Sequence, residues 1–548
     1  CWPNCAPPDL TPGDPTFRIS RSRSKFAAAQ EARMLLSDVP AIAAHHAPDV
    51  AAVTFRDKRF TYAELRDRCW RLSNALIPLT DPGDRVAILS ENCSEYVEAY
   101  YGVPGAALAL VLLNYRLSPR ELAYIIGNSE PRLLLVEAKY LPTIRQIRAE
   151  IPSVEQIVVI DGQAEDAIAY EDFLATGAPI EPARRPQEED LCWLLYTSGT
   201  TGLPKGAMLS HKNLMAAVVN SMCAWDAGTD DVCLFTFPQF HVAGYVMPMY
   251  HLRTYPVVIL KSFDVETVLA NIQQYRITST AMAPTMIAML LEDPIAERYD
   301  LSSLRRIGYG ASAMPAEVLK KARARWPGVG FSTGFGMTEL AGNVMFLSPA
   351  DHDRAADQDL PILSSVGRQM PMARVRVVDD DGRDVPPETP GEIVVRGDQV
   401  LMGYWRNPEA TAGSFFEGGW FRSGDVGRWD ADGYLTIVDR KKDMVLTGGE
   451  NVYPREVEEV LYQHPAVLEA AVLGAPDPKW GEKVVAVVCR RADVTGDELI
   501  AFCRERLAGY KKPKHVVFIE ILPRNASGKV LKRELRDRIA AGELALDG

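Results

Sequence analysis

Short apolar runs of strand length alternate along the chain with segments whose apolar residues recur at helical spacing. The clearest runs lie at residues 86–89, 133–136, 157–160, 193–196 and 257–260. Strands that are apolar throughout are typical of parallel sheets covered by helices on both faces. Because helical segments separate these runs, the pattern predicts an α/β fold built on mostly parallel sheets.

The pattern changes near residue 440. A strand-like run at 434–438 leads into the charged cluster DRKKD at 439–443, which a Gly-Gly pair and Pro454 follow. Proline suits the first turn of a helix, where its missing N–H would have no partner. Further short strands are predicted at residues 470–473, 484–489 and 516–519.

This change predicts a domain boundary. We expect a loose N-terminal tail at residues 1–25, a large domain at 26–441 and a small α+β domain at 442–548. A chain of 548 residues is too long for one compact domain, so the division also fits its length.

Composition narrows the classes of function. The net charge of −12 argues against a general nucleic-acid binder, which needs a basic face. The nine cysteines match no metal or disulfide spacing and predict reduced thiols in a cytoplasmic protein. The longest apolar stretch, 99–113, contains Pro104 and falls short of the ~18 residues of a membrane span.

The N-terminal residues also lack the continuous apolar segment of a signal peptide. We therefore expect small-molecule partners, no nucleic acid and no transmembrane segment. The sequence leaves open a peripheral contact with a membrane, and a monomer or a homodimer.

The segment TSGTTGLPKG at residues 197–206 follows an apolar strand, and a helix is expected to begin near Ser210. Glycine N–H groups and hydroxyls suit phosphate oxygens, and a lysine adds a positive charge. The alternative is a flexible Gly/Thr linker. The spacing differs from the Walker pattern G-x-x-x-x-G-K-[ST]. The candidate phosphate-binding residues are Thr197, Ser198, Gly199, Thr200, Thr201, Gly202 and Lys205.

This segment resembles the signature loop of the acyl-adenylate-forming superfamily, which includes acyl-CoA synthetases, peptide-synthetase adenylation domains and beetle luciferases. Further segments resemble that family's motifs in the same order: QFHVAG at 239–244, YGASAMP at 309–315, GFGMTE at 334–339, WFRSGDVG at 420–427 and PRNASGKVLK at 523–532. The resemblance spans nearly all of residues 30–540. It implies an adenylate-forming N-terminal domain with a small mobile C-terminal lid domain.

The resemblance implies a set of ATP-binding and AMP-binding residues besides the loop. In the family, the residue that corresponds to Phe335 stacks on adenine, and the one that corresponds to Thr338 contacts the α-phosphate. The residue that corresponds to Glu339 holds Mg²⁺, which is a hard cation that takes carboxylate oxygen. Phe335 replaces the commoner Tyr. Asp425 corresponds to the residue that binds the ribose hydroxyls, for which a carboxylate is well suited. The implied set comprises Ala311, Gly334, Phe335, Thr338, Asp425 and Arg440.

The family's catalytic lysine, which bridges the substrate carboxylate and the α-phosphate, corresponds to Lys529. With Thr338, Glu339 and His241 it forms the expected catalytic set. His241 would lie between the acyl pocket and the thiol tunnel, although a lone histidine in an apolar run is more often a core residue. The acyl pocket is expected to contain Phe240, His241, Val242, Gly310 and Met337.

In the family the lid rotates between two half-reactions about a hinge residue, which corresponds to Lys442. Rotation would place glycines along the pantetheine tunnel, where absent side chains leave room. The basic stretch 511–514 could equally be a solvated turn. The residues expected to bind CoA are Gly448, Gly449, Trp480, Tyr510, Lys512 and Lys514.

We therefore expect ATP-dependent activation of a carboxylic acid, a medium-chain or long-chain fatty acid, to acyl-AMP, followed by transfer to CoA. ATP, Mg²⁺ and CoA are the expected cofactor and co-substrates. The alternatives are an aryl-acid:CoA ligase of 4-coumarate or benzoate type, and a ligase that loads a carrier protein. A peptide-synthetase domain is disfavoured because His241 replaces that family's Asp. A luciferase-type oxygenase and an inactive nucleotide sensor are the remaining alternatives.

Overall fold

The computed structural model describes residues 34–197, 203–225, 228, 230–310, 314–358, 361–524 and 530–546. The predicted tail at 1–25 lies outside these residues. The α-helices are α1 (Val39–His46), α2 (Tyr62–Leu76), α3 (Ser94–Gly105), α4 (Pro119–Ser129), α5 (Leu141–Gln146), α6 (Tyr170–Ala175), α7 (His211–Ala224), α8 (Val246–Leu252), α9 (Val265–Tyr275), α10 (Pro284–Glu292), α11 (Ala316–Arg325), α12 (Pro349–Gln358), α13 (Pro408–Ala412), α14 (Pro454–Tyr462), α15 (Gly496–Arg504) and α16 (Lys532–Ala540).

The strands form four sheets. They are β1 (Ala51–Phe55), β2 (Lys58–Thr61), β3 (Arg85–Leu89), β4 (Ala109–Leu112), β5 (Leu133–Val136), β6 (Gln156–Val159), β7 (Ile168–Ala169), β8 (Leu191–Thr197), β9 (Lys205–Ser210), β10 (Cys233–Phe235), β11 (Val257–Ile259), β12 (Ser279–Met282), β13 (Arg306–Tyr309), β14 (Gly330–Met337), β15 (Gly342–Leu347), β16 (Arg368–Gln369), β17 (Ala373–Val378), β18 (Gly391–Gly397), β19 (Gly403–Tyr404), β20 (Phe415–Phe416), β21 (Trp420–Trp429), β22 (Leu435–Arg440), β23 (Val445–Thr447), β24 (Glu450–Val452), β25 (Val467–Asp477), β26 (Gly481–Arg490) and β27 (His515–Phe518).

Two large sheets contain most of the strands before residue 370. The nine-stranded sheet has the order β16-β15-β14-β13-β12-β10-β11-β1-β2, and the eight-stranded sheet has the order β19-β9-β8-β4-β3-β5-β6-β7. Their central strands are parallel, and antiparallel strands lie at the edges. The apolar runs of the sequence are these buried central strands, so the predicted α/β class is confirmed.

The element that directly follows the predicted phosphate-binding loop is a strand, whereas a helix was expected there. Residues 205–210 form β9, which pairs antiparallel with β8, so the loop joins two strands and α7 begins only after Ser210. The Ser210 side chain accepts a hydrogen bond from the backbone of Asn213 and caps α7, which explains why the helix start itself was predictable.

The remaining two sheets follow residue 370. Strands β17, β18, β21, β20 and β22 form an antiparallel sheet, and β23–β27 form a mixed C-terminal sheet in which β26 and β27 are parallel. The C-terminal sheet has two apolar cores of its own, one that contains Val472 and Val488 and one that contains Val487 and Leu535. No helix in the described part of the chain has the length and apolar character needed to cross a membrane.

Candidate active site

The ends of the phosphate loop are positioned by an antiparallel strand pair. Thr197 ends β8 and Lys205 begins β9, and the two residues are directly opposite each other in the register. Five predicted phosphate-binding residues lie outside the described residues: Ser198, Gly199, Thr200, Thr201 and Gly202. The structure therefore defines where the loop starts and ends.

Glu339 lies next to this loop, in a short turn that follows β14 and begins at Thr338. The Thr197 hydroxyl donates to Glu339 Oε1 at 3.3 Å, and the Tyr404 hydroxyl donates to the same oxygen at 3.2 Å. Lys205 Nζ lies 5.4 Å from the centroid of the Tyr404 ring. The structure thus brings Thr197, Lys205 and Glu339 together around a tyrosine that sequence reasoning missed.

Two glycines follow the last residues that pair between β13 and β14, and they differ in their surroundings: a Cβ on Gly334 would lie 2.7 Å from Asn343 Nδ2. Tyr309 pairs with Thr333 across these parallel strands, so Gly310 and Gly334 follow at neighbouring positions. A Cβ on Gly310 would meet no atom of the described residues within 4 Å. In open α/β sheets, ligands bind beyond the carboxyl ends of the strands. The neighbouring Ala311 lies outside the described residues.

Backbone packing restricts the strand that precedes Glu339. A Cβ on Gly336 would lie 2.0 Å from the carbonyl oxygen of Gly342, so only glycine fits there. Phe335 and Met337 flank this glycine and are half-buried against the main core. The close approach fixes the path of the chain into Thr338 and Glu339.

Asp425, which is predicted to bind the ribose, is paired with Arg440 on the neighbouring strand. Asp425 on β21 lies opposite Arg440 on β22, and Arg440 Nε lies 2.6 Å from Asp425 Oδ1. Asp425 is buried and Arg440 is half-exposed. A carboxylate that is paired with a half-exposed arginine can accept further hydrogen bonds from a diol.

Phe240 and His241 follow β10 at its carboxyl end. Their rings lie 4.4 Å apart, and Tyr115 packs edge-on against Phe240 at 5.3 Å. Val242 begins the short helical turn that comes next and is half-buried. The predicted acyl-pocket residues in this segment therefore lie at one strand end beside an aromatic cluster.

A buried asparagine that the sequence did not single out fixes this segment. Asn92 Oδ1 accepts from the backbone of Gln239 at 2.7 Å, and Asn92 Nδ2 donates to the carbonyls of Phe237 and Leu260 at 2.8 and 2.9 Å. One side chain thus connects the loop after β3, in one large sheet, to the ends of β10 and β11 in the other. No local pattern signals this role, because the partners are distant in sequence.

Two of the predicted CoA-binding residues, Gly448 and Lys514, lie beside a third, the half-exposed Trp480. The Gly448 N–H donates to the Trp480 carbonyl at 2.8 Å, and a Cβ on Gly448 would lie 2.8 Å from the Trp480 ring. Lys514 Nζ lies 6.0 Å from that ring's centroid. Burial lowers the pKa of Lys512, and the like charges of Lys514 and Arg504 lower it further. Clustered cations of this kind are stabilised by an anion.

The remaining predictions in the C-terminal region concern two further CoA-binding residues, the hinge and the catalytic lysine. Gly449 has open space at its Cβ position, and Tyr510 is exposed. Lys442, the predicted hinge, follows β22, and burial lowers the pKa of its ammonium while Asp443 opposes that effect. The catalytic candidate Lys529 lies outside the described residues.

Comparison with known proteins identifies the family. Residues 41–405 match the family model described as "AMP-binding enzyme". The chain belongs to this family. Residues 456–529 also match the model described as "AMP-binding enzyme C-terminal domain", so both parts of an AMP-binding enzyme are present.

Full-length relatives of this AMP-binding enzyme include acid–CoA ligases. A feruloyl-CoA synthase from an Amycolatopsis species is 39% identical over 92% of this chain and 99% of its own length. The long-chain-fatty-acid–CoA ligase of Thermus thermophilus is 36% identical over 88% of this chain and 90% of its own. The solved structure of a Mycobacterium tuberculosis fatty acyl CoA synthetase is 32% identical, with a TM-score of 0.75 over 92% of this chain and 98% of that one.

The predicted superfamily and fold are therefore confirmed. The protein is an AMP-forming acid–CoA ligase of the AMP-binding enzyme family, and it uses ATP, a carboxylic acid and CoA. The roles of individual residues, including Glu339, Asp425 and Lys529, stay predictions.

Proposed function

We propose that this acid–CoA ligase activates an aryl or arylalkenoic acid. The observation that carries the proposal is a pair of aromatic rings, Trp225 and Phe346, on the sheet face to which Gly310 also projects. Gly308 and Gly310 project from the same face of β13, because side chains alternate along a strand. A Cβ on Gly308 would lie 3.2 Å from the Trp225 ring, whereas the same position on Gly310 meets no atom of the described residues within 4 Å.

Phe346 packs beside Trp225 with the ring centroids 6.0 Å apart. Phe346 lies opposite Gly334 in the β14–β15 register, so both rings lie on the same face of the sheet. Two tilted aromatic rings beside the acid would suit a flat aromatic group and would limit the room for a long chain. The feruloyl-CoA synthase relative supports this proposal.

A medium-chain or long-chain fatty acid is the second candidate. It is favoured by the resemblance to the Thermus thermophilus ligase and the Mycobacterium tuberculosis synthetase. A long chain would fit if the Trp225 ring turned away from Gly308. Removal of the Trp225 ring should lower activity if the substrate is an aryl acid and should raise activity with a long-chain fatty acid.

The test is pyrophosphate release with a panel of acids: benzoate, cinnamate, ferulate, octanoate and palmitate, each with and without CoA. We expect cinnamate and ferulate to give the highest kcat/KM. Trp225→Ala should lower it for these acids by about tenfold, as expected for a lost aromatic contact, and raise it for palmitate. Trp70→Ala, which removes a ring that packs under Arg66, is the control. Preference of the unaltered protein for palmitate would overturn the aryl-acid proposal.

The chemistry proceeds in two half-reactions at one site. A carboxylate oxygen attacks the α-phosphorus of ATP, the bond to the bridging oxygen breaks, and pyrophosphate leaves. The CoA thiol then attacks the acyl carbon, loses its proton and expels AMP. We propose that Lys205 and Lys529 reduce the repulsion between the two anions of the first step, and that Thr338 contacts the α-phosphate.

We also propose that Glu339 holds Mg²⁺ together with the phosphates of ATP. The described residues contain no cluster of three or more His, Cys, Asp or Glu side chains that could hold a metal by itself. A single carboxylate beside two hydroxyls fits Mg²⁺, which keeps most of its ligands as water and phosphate oxygen. Bound there, the ion would neutralise charge on the phosphates.

The C-terminal region is proposed to act as the lid. We place its boundary at Lys442 and assign CoA recognition to Gly448, Trp480 and the neighbouring lysines. Asp425 and Arg440 are proposed to bind the ribose. The cytoplasm, and a monomeric or homodimeric state, stay predictions.

A further inference from the structure

We propose that Tyr404 is a positioning residue that holds Glu339 and Lys205 in place and keeps them apart. The inference rests on the proposed ATP site and extends it to a residue that none of the recognised motifs contains. Tyr404 touches both groups through different parts of its side chain. The hydroxyl contacts the carboxylate, and the ring face contacts the ammonium.

The hydroxyl orients the carboxylate. Tyr404 and Thr197 both donate to Glu339 Oε1, at 3.2 and 3.3 Å. An ionised carboxylate only accepts hydrogen bonds, so both hydroxyl protons point at this one oxygen. Glu339 Oε2 is then the oxygen that faces a cation. The backbone is held as well, because the Leu401 N–H donates to the Glu339 carbonyl at 2.9 Å.

The ring holds the lysine. Lys205 Nζ lies 5.4 Å from the Tyr404 ring centroid, within the range of a cation–π contact. Within the described part of the chain, Lys205 makes no ion pair. Opposite charges that contact the same side chain would attract each other and pair if that side chain were absent. A Lys205–Glu339 pair would occupy both groups that the phosphates and the cation need.

Tyr404 is itself firmly held. It pairs with Ala207 across the β9–β19 edge, and its N–H donates to Thr411 Oγ1 at 2.9 Å. A tyrosine hydroxyl keeps its proton at neutral pH and so remains a donor. The next residue, Trp405, donates its N–H to the Gly206 carbonyl at 2.7 Å.

Two substitutions separate the two contacts. Tyr404→Phe removes the hydroxyl and keeps the ring, whereas Tyr404→Leu removes both. ATP binding is measured by calorimetry, once with Mg²⁺ and once with a chelator, with no acid present. Tyr62→Phe removes a hydroxyl that donates to the Tyr255 carbonyl elsewhere in the fold and serves as the control.

We expect Tyr404→Phe to weaken binding of MgATP by about tenfold, the size of one hydrogen bond to a charged group, with unchanged binding of metal-free ATP. Tyr404→Leu should weaken both, because Lys205 is also released. Thr197→Val should resemble Tyr404→Phe. Equal binding of MgATP by Tyr404→Phe and the unaltered protein would overturn the inference, as would an equal loss with and without Mg²⁺.

These outcomes are independent of the acid. If the unaltered protein binds ATP equally well with and without Mg²⁺, the proposed metal role of Glu339 fails first, and the Tyr404 inference fails with it. If the acid panel instead contradicts the aryl-acid proposal, the Tyr404 result still stands.

Discussion

Different contacts hold two boundaries of the molecule. One is the boundary between the two large sheets near Asn92, which we call the seam, and the other is the junction at Lys442. At the seam, Asn92 makes three buried hydrogen bonds to backbone groups of the other sheet. Glu137 adds a buried carboxylate that accepts from Lys261 at 2.7 Å. These bonds lie beside the turn that contains Phe240 and His241.

At the junction, the contacts centre on the buried carboxylate of Asp439 and the partly exposed guanidinium of Arg455. Asp439 Oδ2 accepts from the backbone of Arg455, at the start of α14, at 2.7 Å. The Arg455 guanidinium donates to the Ile437 carbonyl at 3.1 Å. A helix N-terminus favours such a carboxylate by about 1 kcal/mol.

We relate this difference to a nucleotide site that is proposed to stay fixed and a C-terminal region that is proposed to move. Breaking a buried hydrogen bond leaves an unsatisfied group and costs about 1–3 kcal/mol. Contacts worth about 1 kcal/mol can exchange for others during turnover. This contrast supports a fixed nucleotide site before Lys442 and a C-terminal region that changes its position.

The largest effect is expected at the fixed site. Glu339→Gln should slow adenylate formation by about 100-fold or more, because it removes the charge proposed to hold Mg²⁺. The measurement is acid-dependent exchange of labelled pyrophosphate into ATP over a range of Mg²⁺ concentrations. Glu137→Gln is the control, since it changes a buried carboxylate outside the nucleotide site. A loss no larger than that of the control would argue against the assignment.

The seam can be broken directly. Asn92→Asp removes two donors and buries a charge, and should lower the free energy of unfolding by about 3 kcal/mol. Asn213→Asp is the matched control for Asn92→Asp, because Asn213 Nδ2 also donates to two backbone carbonyls. These are the carbonyls of Asp398 and Val400, at 2.7 and 2.8 Å. Denaturant unfolding should show similar losses for the two variants.

Only Asn92→Asp should also slow the transfer of a preformed acyl-AMP to CoA, because the turn it supports contains Phe240 and His241. Equal rates of transfer for the two aspartate variants would show that Asn92 stabilises the fold without positioning that turn.

The junction should respond more weakly. Asp439→Asn removes the charge at the start of α14, and about 1 kcal/mol corresponds to about a fivefold shift between arrangements of the C-terminal region. The ratio of the two half-reaction rates should change by about that factor, with little change in the unfolding free energy. Asp384→Asn, which breaks an exposed ion pair with Arg376, is the control. Parallel loss of both half-reactions would count against a hinge role.

The smallest effect concerns pH dependence in the core of the fixed region. Burial raises the pKa of Glu98 to about 7 from 4.5, although Arg68 opposes the shift. The folded protein therefore holds this proton more tightly than the unfolded chain does. The resulting stability is complete below pH 4.5 and is lost as the pH rises through about 7.

Glu98→Gln should remove this dependence. Its thermal midpoint should fall less than that of the unaltered protein between pH 4.5 and about 7. Parallel curves for the two proteins would show that Glu98 does not titrate in that window.

The sequence predicted most accurately the elements that depend on neighbouring residues alone. Buried parallel strands are continuous apolar runs, so residues 133–136 were predicted with the bounds of β5. Strand β9 was missed, because it begins with Lys205 and follows a glycine-rich loop. The motif residues came from a family resemblance, which also supplied Lys529.

Long-range pairing explains what sequence could not supply. Tyr404 belongs to a strand of two residues that exists only because it pairs with β9. Asn92 acts on residues more than a hundred positions away, and no periodicity reports such a contact.

The division between a fixed site and a moving region is tested most directly with Lys529→Ala. We predict that this variant loses acid-dependent pyrophosphate exchange by about 100-fold or more, yet converts preformed acyl-AMP and CoA to acyl-CoA at nearly the rate of the unaltered protein. Lys532→Ala, which breaks the nearby ion pair with Glu458, should leave both half-reactions largely intact. An equal loss of both half-reactions in Lys529→Ala would contradict the account.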